Sequence, residues 1–123
     1  MKKILTVFML VAILALSATA FAADAKALTD AYAEYEAGNY QKAVEMTTNI
    51  ISSDPKATDA YYTRGRSYIG MAKYDEAIVD LNKVIETAPS FVIPYVDRAN
   101  AYLGLKQPDK ALAEANKAVA IAP

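Results

Sequence analysis

A period of 34 residues constrains this chain more than any other feature of its sequence. Pro55, Pro89 and Pro123 stand 34 residues apart, and so do Ala43, Ala77 and Ala111. Asp54, Ala88 and Ala122 precede the prolines in the same register. Ala31, Gly65 and Ala99 form a small-residue column, Ile51, Ile85 and Val119 a β-branched one, and Ile50, Val84 and Ala118 an apolar one. Tyr40 and Tyr74 share a column with Pro108, Tyr61 aligns with Tyr95, and Tyr68 with Tyr102. A unit of this size cannot bury its apolar face alone, so successive units must stack into a solenoid.

Each unit reads as two helices. In the second, Tyr61, Gly65, Tyr68 and Ile69 recur at helical spacing, and Ala77, Ile78, Leu81, Val84 and Ile85 do so again. The link from Gly70 to Tyr74 has room only for an antiparallel hairpin. The proline closing each unit pushes the residue before it out of the helical region. Thr58 and Ser90 stand where they would cap the following helices, and Pro94 and Pro108 fall in or near first turns, where a missing N–H costs little. Helices are expected near 24–37, 41–53, 59–71, 75–87, 92–105 and 109–121. Gly65 should face Ala77 across its hairpin with nothing larger than a methyl group between them, and a Leu at either place would cost roughly 1–3 kcal/mol by overpacking.

The first 22 residues lie outside the period. Lys2 and Lys3 precede an uncharged apolar run, Ile4 to Leu16, and Ala20-Phe21-Ala22 has the small-x-small form of a cleavage site. Together these make the pattern of a secretory signal peptide, and the run is shorter than the roughly 20 residues of a membrane span. It can be stretched to Ala23 through Ser17 and Thr19, so a retained anchor is the alternative reading. Without a Cys near the cleavage site a lipid-modified lipoprotein is excluded. The expected organisation is therefore a signal peptide over 1–22 and one repeat domain over 23–123, with units near 24–57, 58–91 and 92–123. The expected location is the bacterial periplasm or the extracellular space, with no membrane association unless the signal is retained.

Composition then removes whole classes of function. The chain has no His, no Cys and no Trp, which takes away the commonest general base, the usual zinc ligands and the thiol nucleophiles. Asp75-Glu76 and the Glu34/Glu36 pair are the only candidates for paired-carboxylate chemistry, and both sit where helices carry solvated acid. No enzyme, metal or cofactor is expected. Without Lys2 and Lys3, eleven basic residues face 14 acidic ones, a net charge of −3 that offers no field for nucleic acid. An exported domain without disulfides must be held by packing alone.

On these residues the chain resembles the tetratricopeptide repeat (TPR) family, with three repeats. The second unit carries the pattern best, in Tyr61, Gly65, Tyr68, Tyr74, Ala77, Leu81, Val84 and Pro89. The third has Tyr95, Ala99, Tyr102, Ala111, Ala115, Ala118 and Pro123, while the first departs from it with Ala27 and Glu34 in aromatic columns. The resemblance implies an all-α, right-handed α-solenoid of three helix-turn-helix hairpins. It also implies a non-catalytic adaptor that holds a peptide or helix of another protein in its concave groove.

Arg64 and Arg98 occupy a column that is most often apolar in that family. Sixteen residues later stand Asp80 and Glu114, whereas the first unit has Asp30 and Met46 in these two places. Arginine and carboxylate occur together or not at all, so the pairs Arg64–Asp80 and Arg98–Glu114 are expected to be structural ion pairs rather than ligand sites. A half-buried pair should be worth more than the roughly 0–1 kcal/mol of an exposed one.

The resemblance places Leu28, Thr29, Tyr32, Tyr35 and Glu36 on the groove, followed by Asp59, Tyr62, Thr63, Arg66 and Ile69, and then by Ile93, Val96, Asp97, Asn100 and Leu103. The partner-binding surface expected from these is Tyr32, Tyr35, Tyr62, Thr63, Arg66, Ile69, Asp97 and Asn100, aromatic and apolar with Arg66 as an isolated cation. Tyr61, Tyr68, Tyr74, Tyr95 and Tyr102 are expected to pack between repeats. Family members that clamp the C-terminal carboxylates of cytosolic chaperones use Lys, Asn and Arg in five groove columns. Here those columns hold Leu28, Tyr32, Thr63, Ile93 and Asp97, which excludes such a ligand. The last helix presents Leu112, Val119 and Ile121 on a side that lacks a polar cap, which opens the alternative of a self-assembling homo-oligomer.

Overall fold

The computed structural model describes residues 2–123; the side chains of Lys2, Leu5 and Leu16, which the signal reading uses, lie outside the described residues. Six helices follow one another: α1 (Lys2–Glu36), α2 (Tyr40–Ser53), α3 (Thr58–Gly70), α4 (Tyr74–Thr87), α5 (Ile93–Gly104) and α6 (Pro108–Ile121). The all-α solenoid of three hairpins is what the sequence implied. Helices α1, α3 and α5 touch one another in sequence order, whereas α2, α4 and α6 do not. The first helices of the hairpins therefore form the inner, crowded face and the second helices fan outward.

Small residues close the stack. Ala31, Ala43, Ala60, Ala77, Leu81, Val84 and Ala101 are fully buried. A Cβ on Gly65 would stand 3.3 Å from the Asp80 Cβ and the Leu81 Cγ and 3.4 Å from the Ala77 carbonyl. Gly65 thus meets α4 as expected, but it meets Leu81 as well as Ala77, so the space beside it is tighter than a glycine against a methyl group.

Each hairpin turn uses the same device. Gly38 (φ 81°), Ala72 (φ 57°) and Lys106 (φ 58°) stand 34 residues apart in the left-handed region. The next N–H in each reaches back five residues, from Asn39 to Glu34 (2.9 Å), from Lys73 to Tyr68 (2.8 Å) and from Gln107 to Tyr102 (2.8 Å). That bond closes the helix C-terminus and satisfies carbonyls that have no partner inside the helix. Only the first turn has the glycine this backbone favours.

Two expectations about helix ends are corrected. Thr58 is the first residue of α3 rather than its cap, and α5 opens after Val92 with Ser90 in the preceding turn; no side chain caps α2 to α6. The turns are closed by the backbone instead, from Ala57 N–H to Asp54 O (3.1 Å) and from Phe91 N–H to Ala88 O (3.1 Å). Pro94 and Pro108 do sit in first turns.

The first helix does not begin near residue 24. It is continuous through the apolar segment, because residues 17–27 are rich in alanine and contain neither Pro nor Gly to end it. Its stretch from Thr6 to Glu36 has an 18-residue window of mean hydropathy 2.2, none of it buried against the repeats. By length and composition that stretch is able to cross a membrane, and a signal sequence has the same character.

Candidate functional site

The groove rests on how the hairpins are fastened. The Arg64 fork donates to both oxygens of Asp80, Nε to Oδ2 and Nη2 to Oδ1, each at 2.8 Å. Its remaining Nη1 reaches Thr48 Oγ1 on α2 (3.2 Å), so one side chain ties three helices of two repeats. Arg98 repeats the arrangement one unit later: Nε and Nη2 on Glu114 Oε2 (2.9 and 2.5 Å) and Nη1 on Asn82 Oδ1 (2.7 Å). Asp80 and Glu114 are 2% and 5% exposed, so the pairs are anchored in the interior. The hydrogen bonds it donates to Asp80, together with that carboxylate's charge, hold the Arg64 guanidinium above its usual range against the opposing effect of burial.

Tyrosines complete the fastening. The Tyr61 hydroxyl donates to Pro55 O (3.1 Å) and the Tyr95 hydroxyl to Pro89 O (2.8 Å), locking each closing proline to the next repeat. The Tyr40 ring lies against Gly70, where an added Cβ would stand 2.5 Å from it, and Tyr74 lies likewise against Gly104. In the first unit Glu34, which replaces the aromatic residue of that column, receives Lys42 (2.6 Å) and Asn39 (2.8 Å). These bonds lower the Glu34 carboxyl below its usual range.

On the inner face, Arg66 from α3 lies between two rings, 4.9 Å from the centre of Tyr35 and 5.4 Å from that of Tyr62. Tyr32 and Tyr35 are 5.6 Å apart, and Tyr62 packs on Phe91 at 5.2 Å. Tyr32, Tyr35, Glu36, Tyr40 and Arg66 line an open cleft of about 430 Å³. Burial pushes the Tyr35 and Tyr62 hydroxyls above their usual range, with Arg66 pulling the other way.

The structure sorts the sequence-based site residues. Tyr32, Tyr35, Tyr62 and Arg66 come together on one face, with Tyr32 the most exposed of the aromatic three. Ile69 is half-buried on the same helix as Arg66, and Asn100 is exposed on α5. Thr63 is a correction: it is 3% exposed, and its carbonyl accepts the Ser67 hydroxyl (2.8 Å), so it belongs to the packed interior of α3. Arg66 is a second correction, because it is not isolated. Its Nε lies 3.6 Å from Asp97 Oδ2 on the next repeat. That oxygen is buried with no hydrogen bond, and burial raises the Asp97 carboxyl above its usual range while Arg66 opposes the shift.

Among the described residues no group of three or more His, Cys, Asp or Glu is placed to hold a metal ion. What the arrangement offers chemically is contact area: flat rings around one cation, held by a rigid scaffold.

These features define a solenoid of helical hairpins with an aromatic inner face. The tetratricopeptide repeat profile matches residues 58–91 and 94–123, just over half of the chain. The chain belongs to the tetratricopeptide repeat family. No curated protein is significantly similar to it. Among solved structures it is similar to MamA from Desulfovibrio magneticus RS-1, with 26% identity and a TM-score of 0.77 over 81% of this chain and 56% of that one. A MamA RS-1 ArsTM double mutant gives 26% and 0.76 over the same shares, so the chain spans little more than half the length of these relatives. The second TPR of Spaghetti (RPAP3), solved bound to the HSP90 peptide SRMEEVD, shares the fold at 20% identity, with a TM-score of 0.74 over 80% of this chain and 91% of that one.

Proposed function

We propose that this protein is a non-catalytic interaction scaffold of the bacterial periplasm or cell envelope, holding a peptide or helix of another protein in the groove. One observation carries the reading: Arg66 is clasped by Tyr35 and Tyr62 beside an exposed Tyr32, at the mouth of an open cleft. Tyr and Arg are the residues that dominate binding energy in protein interfaces, because they offer area and a polar handle at modest entropic cost. The peptide-bound RPAP3 repeats are a precedent for a ligand on this fold. An acidic tail of that kind does not suit this groove, whose five corresponding positions are Leu28, Tyr32, Thr63, Ile93 and Asp97, none of them cationic.

Export rests on Lys2 and Lys3, the apolar run and Ala20-Phe21-Ala22. N-terminal sequencing of the protein from fractionated cells tests it: a chain starting at Ala23 in the periplasm supports cleavage, and an intact chain in the membrane fraction replaces it with an anchor. The groove is tested by placing a photoreactive amino acid at Tyr32 and identifying the adducts by mass spectrometry. A recurrent foreign protein whose capture is lost in Tyr62→Ala/Arg66→Ala, with helical circular dichroism unchanged, supports the adaptor; adducts indifferent to that change refute it.

A second reading has its own observation. Leu112 and Val119, each 62% exposed, border an apolar cleft of about 520 Å³ between α5 and α6. A face of that kind suits self-association. Sedimentation of the protein with and without Ala115→Glu decides it: a mass that rises with concentration and collapses in the variant supports assembly.

A further inference from the structure

The groove changes character at the junction of the first and second repeats. One unit further on, the Phe91 ring, 37% exposed, packs on Tyr62 with centres 5.2 Å apart. The residues 34 positions earlier are Ala57 and Leu28, both smaller. The corner they leave is a cavity of about 500 Å³, with Leu28, Ile50 and Ala57 as apolar walls and Phe21 at its edge. Asp24, Asp54 and Asp59 also line it. None of the three takes part in an ion pair among the described residues. Of the cations nearest in sequence, Lys26 is paired with Asp30 (2.5 Å) and Lys56 lines a different cleft with Tyr61 and Lys83. Asp54 Oδ1 accepts the Lys56 backbone N–H (3.0 Å), which fixes one carboxylate in place.

We infer that this corner is the specificity pocket of the groove, receiving one large apolar side chain of the bound segment with a Lys or Arg directly beside it. The inference rests on the groove reading above and adds the chemistry of the ligand. The pocket has room for an aromatic or large aliphatic side chain, since its repeat-related counterpart holds a phenylalanine ring. Apolar walls supply the affinity, and three unpaired carboxylates attract a cation next to the buried side chain and repel an acidic one. Leu28, Ile50, Ala57, Asp54 and Asp59 lie well after residue 22 and keep the pocket if the leader is removed, whereas a chain starting at Ala23 loses Phe21 from the edge and sets its own α-amino group beside Asp24.

The test is panning of a random octapeptide phage library against the protein as recovered from cells, in parallel with Ala57→Phe and with Tyr62→Ala/Arg66→Ala. The expected consensus is a large apolar residue adjacent to Lys or Arg. Ala57→Phe, which restores the ring the second junction already has, should lose that consensus and weaken the best selected peptide at least tenfold. Asp59→Asn leaves the cavity open and guards against a folding defect; it should weaken the same peptide severalfold, with a shallower salt dependence. An unchanged consensus in Ala57→Phe, or acidic flanking residues, overturns the inference. A consensus that survives Tyr62→Ala/Arg66→Ala but not Ala57→Phe keeps the pocket and removes the aromatic groove; enrichment of nothing removes both.

Discussion

Replacing Arg64 with Ala should be among the most damaging single changes in this protein, and more damaging than replacing its partner. The asymmetry follows from reach. Asp80 is 2% exposed and short, so without Arg64 its charge stays inside with no compensation. Removing one member of a buried pair in this way costs about 3–5 kcal/mol. Asp80→Ala instead leaves an arginine whose side chain is already 18% exposed and whose stem can carry the guanidinium to water. Its cost is then nearer the ~1.5–3 kcal/mol of lost charge-assisted hydrogen bonds. Arg64→Met with Asp80→Leu removes both charges and should lie within about 1 kcal/mol of the native protein. In a cycle of Arg64→Met, Asp80→Leu and the double variant, with single costs of the same order, the coupling energy is about 3.5 kcal/mol or more, measured by urea unfolding followed by far-ultraviolet circular dichroism. In a domain of this size Arg64→Ala should lower Tm by roughly 12 °C or more. A coupling energy below about 0.5 kcal/mol, or an Asp80→Ala cost equal to that of Arg64→Ala, would refute the reasoning.

Three other outcomes are expected. Ala72→Gly and Lys106→Gly should each stabilise the protein by about 0.5–1 kcal/mol, since relief of the ~1–2 kcal/mol left-handed penalty exceeds the added unfolded-state entropy; a lower Tm in either variant counts against the strain. Gly70→Ala should destabilise by about 1–3 kcal/mol because the new Cβ meets the Tyr40 ring, and Tyr40→Leu in the same chain should recover part of the loss. Asp97→Asn concerns a carboxyl that titrates higher in the folded protein than in the unfolded chain. The folded state therefore binds that proton more readily, and stability falls as pH rises from the usual carboxylate range through the raised value. The Asn variant should be more stable than the native protein at pH 7 and lose that advantage near pH 4, a trend that chemical denaturation across pH would reverse if Asp97 were well solvated.

What was legible in the sequence is what recurs. Helices α2 to α6 and the two Arg–carboxylate pairs could be read because each is written more than once at the same offset. The Arg66–Asp97 contact joins residues 31 apart and occurs once, so no periodic argument reaches it. Thr63 shares a column with Asp97, yet Thr63 is packed inside while Asp97 keeps part of its side chain accessible; one column holds different surroundings in successive repeats. Tyr40 over Gly70 and Tyr74 over Gly104 were within reach, as two tyrosines each followed thirty residues later by a glycine. The long α1 was not, because the repeat period begins near residue 24 and says nothing of what precedes it, while an alanine-rich stretch gives a helix no reason to stop.

That unbroken helix has a mechanical meaning. At about 1.5 Å per residue, its 35 residues form a rod roughly 52 Å long, with Tyr32 and Tyr35 near one end and the apolar stretch at the other. In a chain that keeps its N-terminus, nothing between the two acts as a swivel, so the direction in which the tyrosines point is set by helical phase rather than by tether length. One residue inserted between 18 and 24 would turn the binding face by about 100° relative to whatever holds the far end, with every contact inside the repeats intact.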